Sequence, residues 1–292
     1  MPQGNCLLRV SGWSIAIAIA AAGCAPLGSS SRTSRSLPAG RLPPDAVVLD
    51  VALVRLKAAD IESYEAIWNA ADEQRLDALL RGALEKNGVR VGILGQQLPP
   101  KLRELVDTPP KLLAALSEGQ PDELDFNGSR QHLPLRAGHR SVIKASKVFP
   151  SLPVLLSEEG TVRGYQLTDA RCTLSLKAHP QGDGRVKLNL TPEIEHGELK
   201  ARWGGSEGMM IQQTSQDRLI LDRLALEATL GPGQSLLIST TPEIKGLGEY
   251  FFSQHAAGTV ERRLLVIRYA QTQFDNLFAP EQTPAPLATP GE

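Results

Sequence analysis

The side chains that most often perform catalysis, histidines and paired carboxylates, have no catalytic spacing in this sequence. The five histidines fall on predicted turns and loops, without the i, i+4 spacing that is typical of a metal site. They are His132, His139, His179, His196 and His255. Asp122, Asp125 and the pair Glu158-Glu159 could perform acid/base chemistry, although neighbouring carboxylates on a loop are usually solvated. Because the sequence also lacks a glycine-rich phosphate loop and a G-x-S-x-G nucleophile motif, we expect no enzyme activity, no metal and no cofactor.

A cysteine at the end of a short apolar run offers a different chemistry. Cys24 follows Ala21-Ala22-Gly23, and Arg9 is the only charged side chain that precedes it. A basic start, a short apolar stretch and small residues are typical of an exported segment, and the stretch is shorter than the roughly 20 residues that span a bilayer. An ordinary signal peptide with an incidental cysteine is the alternative interpretation. The arrangement resembles a bacterial lipoprotein signal.

This resemblance implies that residues 1–23 are removed and that Cys24 is acylated, so that a lipid such as palmitate attaches the chain to a membrane. Ala25 follows the cysteine, and no aspartate retention signal is present. The resemblance therefore implies the outer membrane, with the chain facing the periplasm.

The other two cysteines are not predicted to form a disulfide. Cys6 would leave with the signal peptide, and Cys172 then has no partner. Cys172 alternates with Leu174 and Leu176 on the apolar face of a predicted strand. We therefore expect a buried, unreactive thiol at this position.

Composition and patterning predict two folded regions between flexible ends. The chain has 292 residues, of which 41% are hydrophobic, and this is enough for one large domain or two small ones. Its formal net charge of -1 gives no reason to expect a nucleic-acid partner. Residues 24–44 are rich in serine, proline and glycine and predict a flexible tether, and residues 271–292 predict a disordered proline-rich tail. The folded regions are then 45–125 and 126–270.

The region 45–125 is predicted to be a β-α-β unit. A nearly continuous apolar strand at 47–54 is followed by a helical patch at 61–68 and by a helix over 72–86, which Asp72 would cap. Asn87-Gly88 would end that helix before a strand at 89–94.

The region 126–270 is predicted to be rich in antiparallel strands. Residues 171–178 and 185–190 alternate apolar with polar side chains around a glycine turn, which indicates a hairpin. Further strands are predicted at 219–229, 234–240 and 262–269, and the polar stretch 204–217 is predicted to be an exposed loop. The expected fold class is α+β with a mostly antiparallel sheet.

A glycine-rich turn followed by three aromatic residues is the candidate interaction element. It comprises Gly246, Leu247, Gly248, Tyr250, Phe251 and Phe252. Glycines allow backbone angles that other residues avoid, so the turn could project the aromatic rings towards a partner, and exposed aromatic residues are typical of interfaces. The alternative is that Phe251 fills the core of this chain while Tyr250 and Phe252 lie on its surface.

The order of several segments resembles the C-terminal domain of bacterial secretins, the ring-forming outer-membrane channels of secretion and pilus systems. An entry strand, a central strand that ends at a proline, a glycine-glutamine strand, a glycine turn with an aromatic wedge and a closing strand follow one another. They correspond to 48–56, 188–194, 231–238, 244–252 and 262–267. The resemblance implies a β-rich region that associates through strand edges.

Three functions are compatible with these observations. The first is an envelope-anchored, secretin-like scaffold or assembly subunit that is linked to protein secretion and associates with itself or with other envelope proteins. The second is a monomeric periplasmic lipoprotein that binds a ligand or a protein, with its pocket between the β-α-β unit and the sheet. The third, with the least support, is a hydrolase that uses Asp122, Asp125 or a histidine.

Overall fold

The computed structural model describes residues 46–107, 131–206, 209–256 and 258–273, all within the compact unit Leu42–Glu292. The predicted signal peptide, Cys24, the tether, Asp122 and Asp125 lie outside the described residues, as does the tail beyond residue 273. Within the described ranges, no helix is both long enough and apolar enough to cross a membrane.

The first sheet joins strands from both ends of the folded region. Its described strands are β1 (Ala46–Lys57), β2 (Ala71–Asp72), β3 (Val89–Leu94), β4 (Gln131–Arg136), β10 (Ser235–Thr240), β11 (Ser253–Ala256) and β12 (Thr259–Gln273). They are ordered β2-β3-β10-β12-β1-β4, with β11 also on β12, and the pairs are antiparallel. The C-terminal strand β12 therefore lies beside the N-terminal strand β1.

The second sheet consists of long hairpins. Its described strands are β5 (Ser141–Glu158), β6 (Thr161–Pro180), β7 (Val186–Ser206), β8 (Met209–Ile220) and β9 (Leu226–Leu230). They are ordered β5-β6-β7-β8, and a short 3₁₀ turn at Asp222–Leu224 separates β8 from β9. β9 pairs with the first part of β7, and β8 pairs with the later part.

Apolar side chains on both faces of the first sheet arrange the described chain in three layers. Residues of β1 such as Ala52 and Val54 pack against α1 (Ile61–Trp68) and α3 (Pro100–Asp107). Their neighbours Val51 and Leu53 face the second sheet, together with α2 (Ala78–Lys86) and α4 (Gly246–Phe252). A strand that is buried on both faces has a continuous apolar sequence, and this explains the composition of β1.

The fold class that the sequence predicts, α+β with mostly antiparallel strands, is confirmed. α1 occupies the predicted range 61–68, and β6 and β7 form the predicted hairpin. Cys172 is fully buried in β6, where burial raises the pKa of its thiol to about 12 and keeps it protonated.

Three local predictions were wrong. The helix predicted over 72–86 begins at Ala78, because Asp77 rather than Asp72 accepts the capping bond from the amide of Leu80 (2.9 Å). The range 204–217 is not a loop, since most of it pairs in β7 and β8. The strand predicted at 219–229 is interrupted by the 3₁₀ turn.

Candidate functional site

The glycines of the candidate interaction element allow α4 to pack directly against the backbone before β3. A Cβ atom added to Gly248 would lie 1.8 Å from the carbonyl oxygen of Gly88, and the amide of Gly248 donates to the carbonyl of Asn87 (3.0 Å). Gly246 has a backbone φ of +57°, a conformation that residues with a Cβ atom rarely adopt. The Gly246-Leu247-Gly248 sequence therefore forms the first turn of a short helix and permits close approach of two backbones.

Two of the three aromatic side chains of the element are buried in this chain. Phe251 and Phe252 are 1% and 2% exposed, and Leu247 is also buried. Consecutive residues of a helix point about 100° apart, and both rings can be buried because α4 lies between the first sheet and β5. Phe251 and Phe252 thus pack in the core on two sides of one helix.

Tyr250 is the aromatic residue of the element that reaches solvent. Its ring is partly exposed and meets the ring of Phe149 on β5 edge-on, with the ring centroids 6.0 Å apart. Partial burial, with the nearby carboxylate of Glu249, raises the pKa of the Tyr250 hydroxyl, which therefore stays protonated at neutral pH. A role of this element in assembly stays a prediction, and Tyr250 is the side chain through which it would act.

Asn87 joins α2 to the second sheet, a function that the sequence did not reveal. Its side-chain amide donates to the carbonyls of Ala83 and Ser157 (both 2.9 Å), and its side-chain oxygen accepts from the amide of Ser157 (2.9 Å). The side chain is almost fully buried. The pattern Asn87-Gly88 indicated only a helix end, because the partner residue lies 70 positions away.

The histidines and carboxylates do not converge in the described part of the chain. No group of three or more histidine, cysteine, aspartate or glutamate side chains there could hold a metal ion. One pair does meet: Nδ1 of His132 on β4 lies 2.5 Å from Oδ1 of Asp50 on β1. Asp50 is buried while His132 is largely exposed, so the contact lies at the border of the first sheet.

The β7–β8 hairpin extends beyond the pairing of β6 with β7, as the β5–β6 hairpin also does. β6 pairs with β7 only as far as Arg171 and Glu195, whereas β7 and β8 continue to pair with each other to Ser206 and Met209. We call residues 198–206 and 209–215 the β7–β8 arm. The side chain of Gln216 fixes its base by donating to the carbonyls of Gly197 (2.6 Å) and Asp169 (3.2 Å).

Comparisons with known proteins give weak likenesses, and these are to solved structures. No family model matches this chain, and no curated protein matches its sequence. Among solved structures, the chain is similar to the InvG secretin domain of the Salmonella SPI-1 injectisome, with 11% sequence identity and a TM-score of 0.19. The match covers 81% of this chain and 63% of that chain.

Proposed function

We propose that this chain is a non-catalytic assembly subunit of the bacterial cell envelope. A lipid on Cys24 holds it at the periplasmic side of the outer membrane, and copies of the chain associate through the β7–β8 arm. The observation that carries the proposal is the arm itself, because among the described strands each of its two strands pairs only with the other.

The edges of the two sheets differ in how well they are protected against pairing. Proline cannot donate a ladder hydrogen bond, and proteins often place it on edge strands to prevent association. β4 carries Pro134, and β5 carries Pro150 and Pro153. Neither strand of the β7–β8 arm contains a proline. The arm is therefore a long edge of the second sheet that lacks this protection, as does the side of β6 that faces away from β5 over residues 161–170.

Several side chains near the base of the arm are exposed. Leu199 is 70% exposed, and Glu198, Lys200, Ala201 and Thr214 are exposed as well. A hairpin of two strands is marginally stable in water, and further strands beside it would stabilise it. An arm with two open edges can pair head to tail, so that each copy adds a strand to its neighbour.

The assembly is tested by substitutions at the edge strand β8. We expect wild-type protein in mild detergent to form oligomers, and Thr214→Pro or Ser215→Pro to shift it to the monomer. Successive residues of an antiparallel strand direct their amides to opposite sides, so one of the two prolines removes an outward donor without disturbing the arm. Sedimentation velocity over a micromolar concentration range measures the change.

Alanine at the same positions supplies the matched control. Thr214→Ala and Ser215→Ala remove the side chains but keep both amides, and both variants should assemble like the wild type. A wild type that stays monomeric throughout the range would contradict the proposal and favour the monomeric binding lipoprotein. Assembly of both proline variants at wild-type strength would exclude the arm as the interface.

The lipid anchor is tested at Cys24. We expect Cys24→Ala to accumulate as an unprocessed precursor that carries no lipid, whereas the wild type incorporates labelled palmitate and partitions into detergent. A protein that carries several acyl chains binds a membrane firmly, and a protein without them loses that attachment. Cys6→Ala is the control, because this cysteine lies within the removed segment and its loss should change nothing. Soluble, normally processed Cys24→Ala protein at wild-type yield would refute the anchor.

A further inference from the structure

A polar cleft lies between α3 and the first sheet, on the side opposite the second sheet. Its volume is about 350 Å³, within the range of small-molecule sites. The buried carboxylate of Asp50 contributes to its floor, while Gln96, Gln97, Arg103 and the carboxylate of Asp107 are exposed along its rim. Ala52, Val266, Leu98 and Val106 form the apolar part of its lining.

A row of three ionisable residues crosses three strands at the floor of the cleft and beside it. Asp50 on β1 is in register with Arg268 on β12 and with His132 on β4. Asp50 is only 4% exposed, and the neighbouring residues on the same face of β1 are apolar. A buried carboxylate is unfavourable for folding unless polar groups compensate it, and the contact of His132 with Oδ1 compensates part of this cost for Asp50.

Two guanidinium groups border the same cleft. Nη2 of Arg103 donates to the carbonyl of Leu98 (3.2 Å), and Nη2 of Arg268 donates to the carbonyl of Gln96 (3.3 Å). Each bond uses one of the five N–H donors of a guanidinium, which leaves donors for a carboxylate. The backbone contacts hold both side chains at the cleft and so reduce the entropy lost when a ligand binds.

We propose that this cleft binds a small zwitterion with an apolar side chain, of which an aliphatic α-amino acid is the simplest example. Its carboxylate would bind Arg103 and Arg268, its ammonium group would bind Asp50, and its side chain would contact Val106 and Val266. A simple anion would meet the carboxylates of Asp50 and Asp107, and a simple cation would meet the two arginines. The cleft does not involve the β7–β8 arm, so this proposal is independent of assembly.

Calorimetric titration of the full chain in mild detergent tests the ligand chemistry. We expect saturable binding of L-leucine with a dissociation constant of about 1 mM or below. N-acetyl-L-leucine and L-leucinamide each lack one charge and should bind at least about tenfold more weakly, because a charge-assisted hydrogen bond is lost. Tighter binding of leucyl-leucine than of leucine would show that the zwitterion bound by the cleft is a short peptide rather than a single amino acid. Absence of saturation by both, or equal binding of the blocked compounds, would overturn the proposal.

Substitutions locate the binding in the cleft. Arg103→Gln should weaken leucine binding at least about tenfold without changing the melting temperature, because this side chain is exposed. Arg163→Gln is the matched control, since Arg163 is equally a solvent-exposed arginine but lies on β6 away from the cleft. Asp50→Asn should weaken binding of leucine more than that of N-acetyl-L-leucine. Unchanged binding by Arg103→Gln would exclude this cleft as the site.

Discussion

The Gly248→Ala variant is expected to lose more than about 4 kcal/mol of the free energy of unfolding, which is exceptional for one methyl group. The added Cβ would lie 1.8 Å from the carbonyl oxygen of Gly88, and the contact is with backbone rather than with a flexible side chain. α4 would have to move away from the start of β3, and the bond from the amide of Gly248 to Asn87 would be lost. Thermal denaturation followed by circular dichroism measures the effect, provided that the variant folds.

The control variant for this prediction is expected to gain stability rather than lose it. Gly82 lies inside α2, and a Cβ added there meets no atom within 4 Å. Alanine is a better helix former than glycine, so Gly82→Ala should stabilise the protein by about 0.5–1 kcal/mol. If Gly248→Ala melts within 2 °C of the wild type, roughly the effect of 1 kcal/mol or less, α4 does not pack against Gly88 as described.

The sequence predicted the elements whose signals are local. α1, the buried strand β1 and the β6–β7 hairpin follow from apolar periodicity and from a glycine turn between alternating strands. It did not predict that β10 and β12 lie between β1 and β3, because that order depends on pairing between residues some 200 positions apart. The strand β8 was missed for a different reason. Many of its side chains are polar, so the strand lacks the alternation that marks one buried face.

The sequence identified the candidate element of α4 but not the purpose of each residue in it. Glycines in a turn and in a close backbone contact have the same sequence signal, and only the position of Gly88 distinguishes the two. The burial of both Phe251 and Phe252 depends on a second apolar layer, which β5 supplies from a distant part of the chain. The hydrogen bonds between Asn87 and Ser157 likewise join distant parts of the chain and have no local sequence pattern. The same is true of the row of Asp50, Arg268 and His132.

Replacement of Phe252 and of Tyr250 in α4 by alanine is expected to lower the stability of the protein by different amounts, because the first ring lies in the core and the second at the surface. Phe252→Ala should lower the melting temperature by roughly 10 °C, because removal of a buried phenylalanine ring costs about 3–5 kcal/mol. Tyr250→Ala should cost about 1–2 kcal/mol, since its ring is partly exposed and loses mainly the contact with Phe149. Differential scanning calorimetry of both variants measures the difference.

The size of the oligomer then decides whether Tyr250 also contacts a neighbouring copy. If it does, Tyr250→Ala should weaken association by more than its modest loss of stability explains, because an aromatic ring contributes much of the energy of an interface. Tyr250→Phe keeps the ring and the packing against Phe149, so it should assemble like the wild type. Phe252→Ala should not change the association of the protein that remains folded, since that ring is 2% exposed and cannot reach a partner. Unaltered association of Tyr250→Ala would leave the β7–β8 arm as the interface. The aromatic residues of α4 would then stabilise only the chain to which they belong.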